Sequence, residues 1–155
     1  MKIEMQSIGY VTNERKEIKD DYWGQVESQI VLDGSIFKEE ATAELESFSH
    51  LEIIFYLDKI SDSKIELGAR HPRNNPNFPK VGIFGQRTKN RFNKIGLSRC
   101  KLIKVDGLTL TVQALDAISG TPILDIKPLL KDFLPKEPIL EPKWTQEVMK
   151  NYYKD

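Results

Sequence analysis

A β-hairpin is the sequence feature that most constrains the fold. Residues 97–105 and 108–115 each alternate apolar with polar side chains, and Asp106-Gly107 separates them. Asp-Gly is a favoured pair for a two-residue turn because both central positions can adopt positive φ. The pattern therefore predicts two neighbouring antiparallel strands joined by a tight turn.

Several shorter segments also resemble strands, because apolar and β-branched residues alternate with polar ones or run together over a few positions. These segments are residues 2–11, 26–32, 51–57, 81–84 and 122–126. Helix patterns are confined to residues 38–45 and 144–153. Short strands without a β-α-β alternation predict an all-β fold, mainly an antiparallel β-barrel, with short peripheral helices that include one at the C-terminus.

The length of 155 residues suits a single hydrophobic core. We expect a barrel domain over residues 1–130, followed by a proline-rich arm and a short helix over residues 131–155. The helix is expected to dock on the barrel or on a second subunit, because Trp144, Tyr152 and Tyr153 would otherwise be exposed.

Composition argues against secretion, membrane insertion and metal binding. The one cysteine, Cys100, lies in an apolar-alternating stretch, so we expect a buried thiol, no intramolecular disulfide and a reducing, cytoplasmic location. The N-terminal segment is too charged for a signal peptide, and no apolar run approaches the ~20 residues of a membrane span. His50 and His71 have no second soft ligand nearby, so no metal is expected.

Charge is segregated along the chain, although its 23 basic and 23 acidic residues balance. Residues 70–104 contain ten Lys or Arg and no Asp or Glu, whereas residues 1–50 contain eleven acidic and five basic residues. The basic run is rich in Gly, Asn and Pro, whose loops present backbone N–H groups and Arg side chains to phosphate or carboxylate. Two interpretations stay open: an anion-binding site, or a solvated basic face neutralised by the N-terminal third.

Common catalytic motifs are missing from the sequence. It has no Gly-x-x-x-x-Gly-Lys-Ser/Thr loop, no Gly-x-Ser-x-Gly elbow and no Gly-x-Gly-x-x-Gly turn, which argues against a Rossmann nucleotide site. Segments 87–98 and 119–128 remain as candidates for a site. Each also has a plain structural interpretation: an exposed basic hairpin for the first, and a Ser-Gly turn before an edge strand with an Asp125–Lys127 pair for the second.

Four segments carry a family resemblance, and together they span about residues 6–130. They are Ile8-Gly9-Tyr10-Val11, then Phe48-Ser49-His50-Leu51, then the block from Arg70 through Val81-Gly-Ile-Phe84-Gly-Gln-Arg87 to Asn93-Lys-Ile-Gly-Leu-Ser98, and Gly120-Thr-Pro-Ile-Leu-Asp-Ile-Lys-Pro128. In this order and spacing they resemble the TsaA-like domain of the tRNA threonylcarbamoyladenosine methyltransferases, the TrmO family. The resemblance implies a β-barrel methyltransferase, usually a homodimer, that uses S-adenosylmethionine to methylate the modified adenine next to the tRNA anticodon.

The resemblance also implies the residues of the site. Those matched to cofactor-binding positions are Tyr22, Trp23, Asp58, Lys59, Arg87, Arg91, Asn93, Gly96, Leu97, Ser98, Ser119, Gly120, Thr121 and Pro122. An Arg could hold the cofactor's carboxylate, and the ring of Tyr22, Trp23 or Phe92 could face its sulfonium. Candidates for RNA contact within the basic run are Arg70, Arg73, Lys80 and Lys89. The catalytic residue stays unknown, with Asp125 and His71 as candidates for a base.

The chain departs from the family pattern within these segments. Tyr22-Trp23-Gly24 stands where the family has Pro-Arg-Gln, Arg91-Phe92-Asn93-Lys94 stands where it has Arg-Pro-Asn-Pro, and Ser119 stands where it has Asp. Cofactor binding is therefore a better-supported expectation than the identity of the methyl acceptor. Two functions stay open: a methyltransferase acting on tRNA, and a non-catalytic module of the same fold that binds S-adenosylmethionine or RNA.

Overall fold

The computed structural model describes all 155 residues, Met1–Asp155. The strands are β1 (Gly9–Thr12), β2 (Glu27–Leu32), β3 (His50–Tyr56), β4 (Ala69–Arg70), β5 (Val81–Gly82), β6 (Ile95–Asp106), β7 (Thr109–Gln113) and β8 (Pro122–Pro128). One α-helix, α1, spans Lys143–Met149. Single 3-10 turns lie at Glu39–Thr42, Leu45–Ser47, Asp62–Lys64, Pro72–Asn74, Ile83–Gly85 and Lys131–Phe133.

Six strands form a closed barrel in the order β1-β2-β7-β6-β3-β8, and every neighbouring pair is antiparallel. The barrel closes where β1 pairs with β8, at Gly9 opposite Ile123 and Tyr10 opposite Pro122. Strands β4 and β5 form a separate two-stranded sheet. The predicted all-β fold, mainly an antiparallel barrel with short peripheral helices, is confirmed.

Alternation of side chains fills the barrel interior. Along β6, Ser98, Cys100 and Leu102 are buried, whereas the intervening Arg99 and Lys101 are exposed. The hydrophobic core consists of Val11, Ile30, Leu51, Ile53, Phe55, Cys100, Leu102, Leu110, Val112, Leu115, Ala117 and Ile123. Each large aliphatic or aromatic side chain in this set contributes about 1.5–3 kcal/mol by leaving water. Cys100 is buried as predicted, and burial raises the pKa of its thiol to about 12, so the thiol stays neutral.

The predicted hairpin is present, with its turn one residue further along the chain. Asp106 pairs with Thr109, so Gly107 and Leu108 form the loop instead of Asp106 and Gly107. Only Gly107 has positive φ, at +56°, and Asp106 stays in the ladder, where its carboxylate accepts a hydrogen bond from Lys104 at 2.8 Å. Of the two loop positions, only Gly107 therefore requires the positive φ that glycine adopts readily.

Four predicted elements are shorter in the structure than their sequence patterns indicate. The strand expected over residues 2–11 is only β1. Strand β2 ends at Leu32, opposite Gly9, and the pairing on that side continues for only one more hydrogen bond, from the Asp33 amide to the Ile8 carbonyl. The strand over 81–84 becomes a 3-10 turn after Gly82. The helix over 38–45 is two 3-10 turns separated by Glu44, whose φ is +62°. The C-terminal helix ends at Met149. Beyond it, the carbonyl groups of Asn151 and Tyr152 accept hydrogen bonds from the amides of Tyr22 and Trp23.

Gly96 provides a test of core packing. A Cβ at this position would lie 2.2 Å from the Phe55 ring, so the expected cost of Gly96→Ala is about 1–3 kcal/mol of unfolding free energy, measured by denaturant titration. Adding Phe55→Leu should recover part of that cost, because the smaller side chain yields space. Gly82→Ala is the control, since its Cβ would meet nothing within 4 Å. An equal loss in both glycine variants would contradict the packing explanation.

Candidate functional site

Four connecting segments meet at one end of the barrel. Segments 13–26, 57–68, 83–94 and 114–121 all leave or enter the barrel where β1 and β3 end and where β6 and β8 begin. We call this the loop end. Every residue matched to the cofactor from sequence lies in one of these segments or in the first residues of β6 or β8, so the antiparallel topology brings widely spaced parts of the chain together.

The segment 13–26 folds around an arginine–tryptophan stack. The Arg15 guanidinium lies 4.0 Å from the centre of the Trp23 ring, and it donates hydrogen bonds to the carbonyl groups of Asp21 (2.8 Å) and Tyr22 (3.2 Å). Trp23 is only 3% exposed, so its ring is an anchor of the loop, already paired with a cation. Tyr22 has positive φ and an exposed ring, and it is the aromatic side chain of this segment that can face a ligand.

The C-terminal segment docks on the barrel at the loop end, which is one of the two places predicted for it. The carbonyl groups of Asn151 and Tyr152 accept hydrogen bonds from the amides of Tyr22 (3.0 Å) and Trp23 (2.8 Å). Gly24 lies directly beneath Tyr153, because a Cβ at Gly24 would be 2.1 Å from the Tyr153 carbonyl oxygen. The backbone approach is therefore so close that only glycine fits at that position.

Side chains reinforce this docking. The Tyr152 hydroxyl donates a hydrogen bond to the Asp116 carboxylate, and burial together with that carboxylate raises the pKa of Tyr152. The rings of Tyr152 and Tyr153 pack edge to face, with centroids 5.0 Å apart. Gln25 donates to Asp155 at 2.8 Å. The two tyrosines thus cover part of the loop end from within the same chain.

Half of the basic run is neutralised by carboxylates of the same chain. Arg73 donates two hydrogen bonds to Asp21 (2.5 and 2.7 Å), and Lys89 donates one to Asp20 (2.5 Å). The other pairs are Lys94–Asp62, Arg99–Glu52 and Lys104–Asp106. Two of the four candidates for RNA contact, Arg73 and Lys89, are therefore tied to the acidic N-terminal third.

Arg87 and Arg91 bind backbone carbonyl groups of the loop end. Arg91 donates to Ile83 (3.2 Å) and Gln86 (2.9 Å) through one terminal nitrogen, which closes the loop before β6. Arg87 donates a single hydrogen bond to Leu97 at 2.8 Å and is largely exposed. Arg87 therefore keeps more of its donors for an anion than Arg91 does.

The segment 114–121 returns to the barrel through a glycine turn. Gly120 has φ of +87°, its amide donates to Val11 at 2.7 Å, and a Cβ there would meet nothing within 4 Å. The open space beside Gly120 leaves room for a ligand at this turn. Asp116 in the same segment has one buried carboxylate oxygen without a hydrogen-bond partner.

Other predicted cofactor residues lie at the outer rim of the loop end. Asp58 and Lys59 form an ion pair at 3.1 Å directly after β3. Asn93 is exposed beside Phe92, whose ring is 73% exposed. Lys94 takes positive φ and forms an ion pair with Asp62, in the loop where the family has two prolines.

The two candidate bases are both engaged in local contacts. The Nδ1 atom of His71 lies 2.7 Å from the Phe78 carbonyl oxygen, so Nδ1 carries the proton and Nε2 is the free nitrogen. Asp125 lies within β8, on the barrel wall, and pairs with Lys127 at 2.6 Å. The predicted Asp125–Lys127 pair is therefore present, but β8 is not an edge strand, because it pairs with both β1 and β3. Asp125 lies outside the loop-end segments.

The roles of three residues at the loop end could not be predicted from the sequence. Asp116 sits between apolar neighbours and has no local partner, and Arg15 looks like an ordinary surface charge. The sequence indicated that the Tyr152 ring would pack against another surface, but not that its hydroxyl binds Asp116, which is 36 residues away in sequence. No group of three His, Cys, Asp or Glu side chains could hold a metal ion, and none of the helices has the length and apolar character to cross a membrane.

Comparison with known proteins matches this barrel to one family. Residues 11–133 match the model of the tRNA-methyltransferase O N-terminal domain. The human tRNA (adenine(37)-N6)-methyltransferase is 38% identical over 98 residues, which are 63% of this chain and 22% of the human protein. A Methanothermobacter thermautotrophicus protein named "Probable S-adenosyl-L-methionine-binding protein" is 31% identical over 138 residues, 85% of this chain and 93% of its own length.

A solved structure shows the same fold. The crystal structure of TrmO from Pseudomonas aeruginosa superposes with a TM-score of 0.74 at 22% identity, over 93% of this chain and 62% of that one. The chain thus spans about a fifth of the human methyltransferase (22%) and nearly all of the archaeal relative (93%).

The Arg73–Asp21 pair predicts a pH-dependent contribution to stability. Hydrogen bonds from Arg73 lower the pKa of Asp21 in the folded protein. The stabilisation is therefore complete above the unfolded value of about 3.9 and is lost as pH falls through the lower folded value. Asp21→Asn should reduce the unfolding free energy by about 1 kcal/mol at pH 7 and by progressively less as the pH falls below about 4.

Denaturant titrations at several pH values measure this difference. Asp62→Asn is the matched control, because Asp62 is 91% exposed and its pair with Lys94 should contribute little. A loss in Asp21→Asn that is the same at pH 7 and pH 2 would show that the carboxylate charge is not the cause.

Proposed function

Because the chain belongs to the tRNA-methyltransferase O N-terminal domain family, we propose that it binds S-adenosylmethionine at the loop end and methylates the modified adenine next to the anticodon of tRNA. The observation that carries this proposal is the convergence of all fourteen residues matched to the cofactor on one end of the barrel. The human relative that shares this domain is named a methyltransferase of adenine 37 in tRNA.

The residues of the loop end suit S-adenosylmethionine chemically. Asp116 has a buried oxygen without a partner, and Gly120 borders open space, so a donor group of a ligand would find an acceptor and room there. Arg87 offers free donors for a carboxylate. When bound, S-adenosylmethionine supplies an electrophilic methyl group.

The protein's own contribution to such a transfer is positioning. Arg87 would hold the carboxylate, Tyr22 would lie against the ligand with its exposed ring, and the turn Ser119–Pro122 would form a backbone wall. Alignment of two reactants in a site of this kind is worth about 7–11 kcal/mol of barrier in favourable cases. The remaining matched residues, Asp58, Lys59, Arg91, Asn93, Gly96 and Leu97, would form the rim.

RNA contact falls to the cations that the fold leaves free. Lys80 is exposed and Arg70 is half-buried, and neither has a carboxylate partner. Phe84 and Phe92 are 91% and 73% exposed on the same basic run, so bases of RNA could stack on them. To contact RNA, Arg73 and Lys89 would have to break their ion pairs with Asp21 and Asp20 and bind phosphate groups instead.

A second function is a module that binds S-adenosylmethionine without transferring its methyl group. The M. thermautotrophicus relative favours it, because that protein is named for binding alone and is matched over nearly its whole length. The altered residues Tyr22, Trp23, Phe92 and Lys94 are consistent with it, since they change the loop that would meet a substrate.

Three further proposals follow from the family. The chain acts as a homodimer in the cytoplasm, and residues 1–130 form its catalytic barrel while residues 131–155 form an appended arm. Phe133, Ile139 and Leu140 of the arm are 74%, 75% and 92% exposed, which supports burial against a second copy. Light scattering of the purified protein decides the point, because a monomer mass at micromolar concentration excludes the dimer.

Calorimetric titration with S-adenosylmethionine tests the cofactor site. We expect micromolar binding by the wild type and a loss of about 10-fold or more in Arg87→Ala, because a charge-assisted hydrogen bond is removed. Arg91→Ala should also weaken binding, but by opening the loop that Arg91 ties to Ile83 and Gln86. Lys101→Ala, on the barrel wall, is the charge control. Absence of binding by the wild type would overturn the proposed function.

Methyl transfer to tRNA separates the two functions. The protein should transfer labelled methyl groups to tRNA that carries threonylcarbamoyladenosine and not to tRNA that lacks the modification. Binding should weaken steeply with salt, and Lys80→Ala should lower the salt slope by about 1, whereas Lys2→Ala, an exposed lysine outside the basic run, should not. Cofactor binding without transfer, and with no salt-dependent RNA binding, would favour the non-catalytic module.

A further inference from the structure

Asp116 is the one acidic side chain in the segment 114–121, and it lies where that segment passes the C-terminal tyrosines. One of its carboxylate oxygens accepts a hydrogen bond from the Tyr152 hydroxyl. The other, Oδ1, is buried and has no hydrogen-bond partner. None of the ion pairs of the protein includes Asp116.

A half-satisfied buried carboxylate is costly. A buried acceptor without a donor costs about 1–3 kcal/mol, and more when it is charged. Nearly all such groups in folded proteins find a partner in protein, water or ligand, so an orphaned oxygen at the edge of the candidate site is a place where a ligand donor can bind. Tyr152 holds the carboxylate in one orientation and thereby fixes the direction in which Oδ1 can accept.

A polar residue of β6 lies in the same neighbourhood. The Ser98 hydroxyl points into the barrel at the loop end, and the Tyr153 hydroxyl lies beside it. Burial and the Asp116 charge raise the pKa of Tyr153. Asp116 itself is half-buried beside Tyr152, and its Oδ1 atom is shielded from solvent.

We propose that Asp116 is a ligand-binding residue of this site, whose Oδ1 accepts a hydrogen bond from an ammonium or hydroxyl donor of S-adenosylmethionine. Those are the donors on the amino-acid and ribose parts of the molecule, and a carboxylate is the acceptor that binds either most strongly. The proposal rests on the proposed function, since it assigns a further contact within the same cofactor site.

The test compares Asp116→Asn with wild type for four ligands. They are S-adenosylmethionine, 5′-methylthioadenosine, which lacks the ammonium group, and the 2′-deoxy and 3′-deoxy forms of S-adenosylhomocysteine, each of which lacks one ribose hydroxyl. Asparagine keeps the size of the side chain and an oxygen for Tyr152, so the fold should be retained. Asp106→Asn, in the hairpin turn, is the matched control.

Asp116→Asn should bind S-adenosylmethionine about 10- to 100-fold more weakly, because a hydrogen bond to a charged acceptor is lost. The penalty should vanish for the ligand that lacks the partner donor, which distinguishes the ammonium group from each hydroxyl. Tyr152→Phe should show the same ligand dependence with a smaller loss, because the carboxylate is no longer held.

A purely structural role gives different results. It would lower the melting temperature and weaken all four ligands by the same factor, and that result would overturn the proposal, as would equal affinity of wild type and Asp116→Asn for S-adenosylmethionine. Failure of the wild type to bind S-adenosylmethionine would instead refute the proposed function, and this assignment with it. Binding by the wild type that is unaffected by Asp116→Asn would refute the assignment alone.

Discussion

The offset pairing of β6 is the constraint on which the loop end depends. This strand pairs with β3 over residues 95–101 and with β7 over residues 101–106, so its two partners overlap only at Lys101. At the loop end no strand covers the side of β6 away from β3. Inward residues there are Gly96 and Ser98, one too small to fill the interior and one polar, and Gly96 leaves room for the Phe55 ring. The barrel is thus tightly packed in the middle and polar at one mouth.

Local patterns predict this fold well where local chemistry decides the structure. Alternation in residues 97–105 and 108–115, and the apolar run 51–57, correspond to β6, β7 and β3. The length of a strand cannot be predicted from its own pattern, because a strand ends where its neighbouring strand ends. Residues 2–8 alternate as well as β1 does, yet β2 stops opposite Gly9. The turn shifted by one residue because Asp106 gains a partner, Lys104, by remaining in the ladder.

The candidate site was predictable only in outline. The family motifs mark segments 87–98 and 119–122, and the topology explains why these segments meet. Motifs do not reveal that the Trp23 ring is covered by Arg15, which removes it as a partner for a sulfonium, nor that Arg91 is occupied by two carbonyl groups. Those facts depend on contacts between segments that are distant in sequence. The same is true of the basic run, because much of its charge is neutralised by ion pairs with Asp20, Asp21 and other carboxylates.

The C-terminal segment adds a layer that the family match does not include. The match ends at residue 133, whereas residues 151–155 bind the loop 22–25 through two backbone hydrogen bonds and the Gln25–Asp155 contact. Backbone contacts of this kind tolerate many side chains, but Tyr152 reaches a specific carboxylate inside the mouth. Substitution at Tyr152 would therefore alter the polar lining of the site while the barrel and the docking of the segment stay the same. A residue outside the matched barrel is in this way linked to a carboxylate of the candidate site.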